Sequence, residues 1–416
     1  MRTLLLLFFC LSFFSTIAGE TTITVDAGAL DRRETITSFA LPKELGDGPF
    51  RLRDSSGAAL PLQVDVARTA RFVLPELKAG ATKTFTLEKD TEARKGGVSA
   101  VKNGSLVEIT FDGKKIISYQ AEKSIPPEGV DAVFARGGYI HPVYTPSGKI
   151  ITDDYPADHR HHHGIWMPWT KTEFEGRKPD FWNMGGKTGT VEHVSLNTWR
   201  ALKSVSKGPA EPRPDVAMEL WSGPVFAGFN SALQHIDLTS GARKTVLHED
   251  WTVNVYAAGS GAANHFLFDF VSTQECVADA PLKLPKYHYG GLGFRGHIQW
   301  NGPPNCFFLT SEGKTRADGN ETRGRWCHVG GKIDGALYGL AILGHPENFR
   351  APQPMRLNPK EPFFCFAPSQ LGDWEITPGK PYVSRYRFIV ADGGPDAKEI
   401  ERHWNDYATP PVVTVK

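Results

Sequence analysis

The chain has 416 residues, with 47 Lys+Arg against 46 Asp+Glu, 42 Gly, 30 Pro and five cysteines. A formal charge this close to zero leaves no basic footprint for nucleic acid. The length suits one large domain plus a small one, and so few cysteines in so long a chain exclude a disulfide scaffold.

Residues 1–19 read as a secretory signal, with a basic start at Arg2, an apolar run from Leu4 to Phe14 and small residues around Ala18 and Gly19. The run is about eleven residues, short of the roughly twenty that span a bilayer. The expectation is a periplasmic or extracellular protein without membrane insertion. Cleavage removes Arg2, so the basic residues fall from 47 to 46, level with the 46 acids.

Residues 20–95 read as a small immunoglobulin-like β-sandwich. "FRLRDSSGAALPLQV" is two alternating runs about a Ser/Gly turn, and "TKTFTLEK" alternates at period two. "TEARKGG" follows as a linker. Residues 96–416 then read as a large all-β body. In "SLVEITFDGKKIISYQ", Asp112-Gly113 sits between two alternating runs, a strong hairpin signal. "VLHEDWTVNVYA", "HFLFDFVST", "GALYGLAILG" and "SRYRFIVADG" add strands, and so many in one domain imply two packed antiparallel sheets, a supersandwich. One helix is predicted over residues 395–408, with Pro395 near its start and Ala397, Ile400, Trp404 and Tyr407 on one face against the outside of a sheet.

All fourteen histidines lie at or after His141, and all ten tryptophans at or after Trp166. That asymmetry places the chemistry in the large body. "DDYPADHRHHHGIWMPW" (residues 153–169) concentrates it. On an extended backbone His159, His161 and His163 share one face, with Arg160 and His162 on the other. The run would supply acid–base groups, or hold a divalent transition metal through His159, His161, His163 and Asp154, with Asp153 or Asp158 as further carboxylates. A rigid loop of backbone-bonded histidines is the structural alternative. Trp166, Trp169 and Trp182 would be stacking walls for a sugar, or sandwich core.

Further along, Glu249 shares a face with Leu247, Trp251, Val253 and Val255, either as a general base with a raised pKa or as a carboxylate with a buried Arg partner. Asp269 has the same ambiguity. "KYHYGGLGFRGH" offers Tyr287, His288 and Arg295 for ligand contact, Arg295 as a clamp for carboxylates or hydroxyls. Its Gly291-x-Gly293-x-x-Gly296 fails as a dinucleotide fingerprint because no helix follows, so no nucleotide cofactor is expected. Serine-hydrolase elbows, Walker loops and His-Glu-x-x-His are absent. Cys276, Cys306, Cys327 and Cys365 leave open whether an exported chain pairs them.

"YIHPVYTPSGKIITDDYPADHRHHHGIW", "GGLGFRG" and "HPENFRAPQPMRLNP" resemble the exported bacterial family catalogued as "methane oxygenase PmoA", over residues 141–390. The membrane-bound methane monooxygenase subunit of that name is helical, and no such helices follow the signal here. At that family's more usual aspartate position this chain has His328. More loosely, the body resembles galactose-mutarotase-like supersandwich proteins. In those proteins a histidine and a carboxylate on a concave sheet move protons around a sugar. That likeness implies a His from 159–163 acting with Glu249 or His288. The sequence therefore points to a carbohydrate-active lyase, hydrolase or epimerase. A histidine-cluster metalloenzyme, oxidative chemistry included, and a non-catalytic carbohydrate-binding protein are the alternatives. The expected partner is a carbohydrate, and oligomeric state is left open.

Overall fold

The computed structural model describes residues 21–46, 48–92, 96–205, 219–259 and 265–416. The predicted signal, residues 1–19, and the centre of the predicted linker, residues 93–95, lie outside the described residues.

The N-terminal strands are those the alternation predicts: Phe50–Asp54 pairs with Ala59–Val64, and Thr82–Lys89 is a strand along its whole length. They belong to one seven-stranded sheet that curls around its own core of Ile23, Phe39, Leu52, Phe72, Leu74 and Phe85. Its last strand comes from the far end of the chain: Val412–Val415 pairs with Thr22–Asp26. The sequence reading placed residues 96–416 wholly in the large body, and this strand is the exception. It is carried there by the helix before it.

The large body has an eight-stranded and a nine-stranded antiparallel sheet packed face to face, so the architecture is all-β. Asp112 and Gly113 both adopt positive φ, 46° and 81°, and join Leu106–Phe111 to Lys114–Gln120 as the hairpin expected. The nine-stranded sheet is built on Phe226–Asp237, Lys244–Tyr256, His265–Cys276 and Tyr382–Asp392. Helix Ala397–Ala408 is capped by Asp396, whose side chain accepts from the Lys398 and Glu399 amides. Ile400, Trp404 and Tyr407 pack on Trp326, Ala341, Leu343 and Ile389, on the outside of that sheet. A short helix, Trp199–Val205, was not foreseen. Among the described residues no helix is long and apolar enough to cross a membrane.

What positions the site is the alternation of the eight-stranded sheet. In Phe363–Phe366, Phe364 and Phe366 enter the inter-sheet core while Phe363 and Cys365 point to the other face. Ile165 and Phe294 go inward; Trp166 goes outward over Gly293, where a Cβ would stand 3.4 Å from the indole. The outward face is roofed by residues 153–163, 180–187 and 287–290.

The four cysteines are free and buried. Burial pushes the Cys306 and Cys365 thiols up to about 12 and raises Cys327 and Cys276 as well. Since the thiolate is the reactive form, a thiol-reactive disulfide reagent should leave these four unmodified in native protein and label all of them after denaturation. Fast native labelling would contradict this packing.

Candidate functional site

The histidine run is not extended. His159 N donates to Pro156 O (3.0 Å) and His162 N to His159 O (2.9 Å), so consecutive turns replace the strand that period-two spacing assumed. Asp154 and His163 close the loop as an antiparallel bridge. Gly164 is required at its end: a Cβ there would lie 2.2 Å from Ile140 O, at φ 38°.

The turns sort the run in a different way from the expected alternation. His163 is fully buried, packed by Tyr139 and Tyr155, and its Nδ1 lies 2.6 Å from Asp154 Oδ1. The same carboxylate accepts from Tyr139 Oη at 2.9 Å. His162 is buried between His159 and Phe363, stacked on both with ring centroids 4.7 and 4.9 Å away. Only His159 and His161 reach the surface. Burial, then the neighbouring His159 and His163, pushes His161 down to about 4, and His162 falls well below its ordinary value. Arg160 Nη1 donates to Tyr155 O (2.7 Å), so it braces the loop. Burial raises the Asp153 carboxyl.

The expected metal set does not assemble, because His163 and Asp154 are bonded to each other inside the loop. The ligand atoms that do converge, within 4.8 Å of one another, belong to Asp158, His159 and Glu361. His159 Nδ1 is 3.2 Å from Glu361 and 3.3 Å from Asp158. Arg295 underlies them, fully buried, with Nη2 3.0 and 3.2 Å from the Asp158 oxygens and Nη1 3.1 Å from Glu361. It thus clamps protein carboxylates, not a ligand.

Burial alone would raise Asp158, but the Arg295 charge, the adjoining His159 and the Arg295 hydrogen bonds outweigh it and hold the carboxyl below its usual range. Glu361 goes the other way: burial, reinforced by the Asp158 charge, raises it despite His159 and Arg295. Asn358 Oδ1 accepts from the Lys360 (2.9 Å) and Glu361 (3.1 Å) amides and fixes the turn that presents Glu361. The pair opens into a shallow depression of about 520 Å³ shared with Asn301 and Ile298.

Glu361 was missed from sequence. It follows the quoted "HPENFRAPQPMRLNP" by two residues, and a lone Glu before Pro at a strand start carries no distinguishing signal.

Trp166, Trp169 and Trp182 are buried and offer no face to a sugar. They are the floor of the roofed face and of the inter-sheet core, with Trp169 Nε1 bonded to Gln274 at 2.6 Å. Half-exposed rings come instead from Tyr287, His288 and Tyr289, mutually packed with centroids 4.3 Å apart for each neighbouring pair. They connect through Tyr289 and Phe363 (5.7 Å) to His162 and His159.

Glu249 lies in the dry core, away from this face. It accepts from Trp251 Nε1 (2.7 Å), Ser272 Oγ (2.5 Å) and Gln274 Nε2 (3.0 Å), with His235 Nε2 at 2.8 Å. Burial would raise it, but His235 and these hydrogen bonds outweigh that and hold it low. The expected raised pKa and the Arg partner are both absent. Asp269 is a bidentate partner of Arg387, at 2.7 and 2.9 Å. His328 is buried flat against Phe307 and pushed down to about 3 by burial. Neither reaches the surface cluster.

Residues 106–405 match the model described as a family of unknown function, DUF6807. That description carries no oxygenase activity, so the methane-oxygenase name finds no support. No curated protein matches the chain. Among solved structures, a galactose mutarotase related enzyme from Lactobacillus acidophilus aligns at 8% identity over 70% of this chain and 97% of its own, with a TM-score of 0.23.

Proposed function

The chain belongs to the family of unknown function DUF6807, and from that premise, which supplies no activity, we propose that it is an exported enzyme moving protons on a polar, sugar-like substrate. The observation that carries this is the Asp158 and Glu361 pair: two carboxyls on one arginine whose environments push their pKa values apart. Such a divergence is the pattern by which one carboxyl of a pair serves as base and the other as acid. Asp158 is the base, Glu361 the acid, and His159, in contact with both, relays or positions the proton. The apolar part of the depression is Ala157, Ile298 and Pro303, and the half-exposed Tyr287 and Tyr289 rings lie beyond the buried Phe363 and His162.

The pH sign follows from the two directions. The base works once ionised, above a value below the ordinary Asp range. The acid works while protonated, below a value above the ordinary Glu range. Turnover should be bell-shaped. On a panel of oligosaccharides and modified glycosides, Glu361→Gln should lower kcat by about 10²–10⁴-fold and erase the alkaline limb. Asp158→Asn should erase the acid limb. Wild-type rates in both folded variants would sink the reading, and binding without turnover in the wild type would make the protein a carbohydrate-binding module.

A second reading rests on the same convergence of ligand atoms: a divalent cation on Asp158, His159 and Glu361. Arg295 already pairs with Asp158 and Glu361, and its positive charge beside the same oxygens disfavours a cation there by like-charge repulsion. Stoichiometric metal in tag-free protein, lost in His159→Ala, would favour the metal.

A further inference from the structure

A second group of basic side chains lines a cavity whose lining includes none of Asp158, His159 and Glu361. This cavity of about 400 Å³ is lined by Lys123, Arg136, Lys187, Arg243 and His193, with Glu192 as its one acid. Glu192 is matched by Arg243, at 2.6 Å. Lys123 and Lys187 have no carboxylate partner among the described residues. Arg136 is the more telling group. It is 3% exposed, and its Nε and Nη2 donate only to the Gly137 and Gly138 carbonyls at 3.2 and 3.4 Å. Its Nη1 is buried with no hydrogen-bond partner. The carboxylate whose field it feels, Glu249, is already held by four other side chains. A buried guanidinium whose Nη1 bonds to nothing, and whose one opposite charge acts only through space, leaves a donor unmatched.

Backbone geometry points the same way. Lys187 follows Gly185-Gly186 at φ 54°, ψ 25°, the left-handed region that glycine enters freely and a long side chain rarely does. A lysine held there, on the rim, keeps a charge where the turn itself would prefer glycine. Val133, Met184 and Leu238 form the apolar part of the wall.

We propose that this cavity is an anion site, taking a small oxyanion: a carboxylate, or a phosphate or sulfate group, free or carried on a larger ligand. Oxyanions accept from several donors at once, which suits one guanidinium and two ammonium groups around a small volume. The inference is independent of the Asp158 and Glu361 reading.

Calorimetric titration of the full chain with inorganic phosphate, inorganic sulfate and glucuronate, at low and high sodium chloride, tests it. At least one should bind, more weakly as salt rises, and which one binds identifies the class. The double variant Lys123→Ala/Lys187→Gly alters exposed residues and relieves the strained backbone, so it should fold with at least wild-type stability. Its dissociation constant should rise tenfold or more. Glu192→Gln, which frees Arg243, should lower it. No binding of any of the three at millimolar concentration overturns the proposal, as does unchanged affinity in the double variant.

Discussion

Glu249→Ala should remove about 3–5 kcal/mol of stability, the usual result of breaking a buried ionic and hydrogen-bonded group by deleting one partner. The side chain is fully buried, and its loss leaves His235, Trp251, Ser272 and Gln274 facing a cavity with donors unmatched. Urea denaturation at neutral pH checks it: the midpoint should fall with little change in slope. The effect has a pH signature. The folded-state pKa of Glu249 is depressed, so its contribution is present above the ordinary glutamate value and lost as pH falls through the folded value. The gap between wild type and variant should therefore narrow on acidification. Glu249→Gln, which keeps the shape and one acceptor, should lose less. A deficit under 1 kcal/mol for Glu249→Ala would show that the donors find other partners or water, against a sealed core.

Asp406→Ala should be of similar size, again about 3–5 kcal/mol, but should act on the join between the two parts of the chain. Asp406, on the C-terminal helix, is buried with Arg32 of the N-terminal sheet, at 2.9 Å, and also accepts from Thr35 (2.9 Å) and Arg402 (2.7 Å). Without it Arg32 is a buried cation with only the Ala27 carbonyl to bond. The helix leads directly into Val412–Val415 on the edge of that N-terminal sheet. Amide hydrogen exchange should therefore accelerate first in Arg32–Ala40 and Val412–Val415, before the nine-stranded sheet opens. Uniform acceleration would place Asp406 in the global core instead.

Glu249 bears on how a carboxylate on an apolar face should be read from sequence. The alternation "VLHEDWTV" correctly put Glu249 on the apolar side, and both a functional and a structural reading followed from that. The structure chooses between them through residues on other strands: His235 is its diagonal neighbour, and Ser272 and Gln274 come from the next strand over. None of these partners is adjacent in sequence. The tryptophans failed for a related reason. Trp is apolar in its body and polar at one atom, so its presence near histidines is equally compatible with a wall or a floor, and burial decides.

The sequence by itself determined what depends on neighbours in the chain. The period-two runs predicted the strands, Asp112-Gly113 the hairpin, and Pro395 with the Ala397, Ile400, Trp404 and Tyr407 stripe the helix, because pleat, turn and helix face are set within a few residues. Tertiary structure alone decided the site. Asp158 and His159 meet Glu361 because Ile165–Trp166 pairs with Gly293–Arg295, which pairs with Phe363–Phe366, setting Arg295 opposite Phe363. That register joins segments some two hundred residues apart in the chain, and the turns within 153–163 then aim His159 outward and His163 inward. Pairing between strands this distant in the chain has no connecting turn to fix it and is chosen by how whole faces bury.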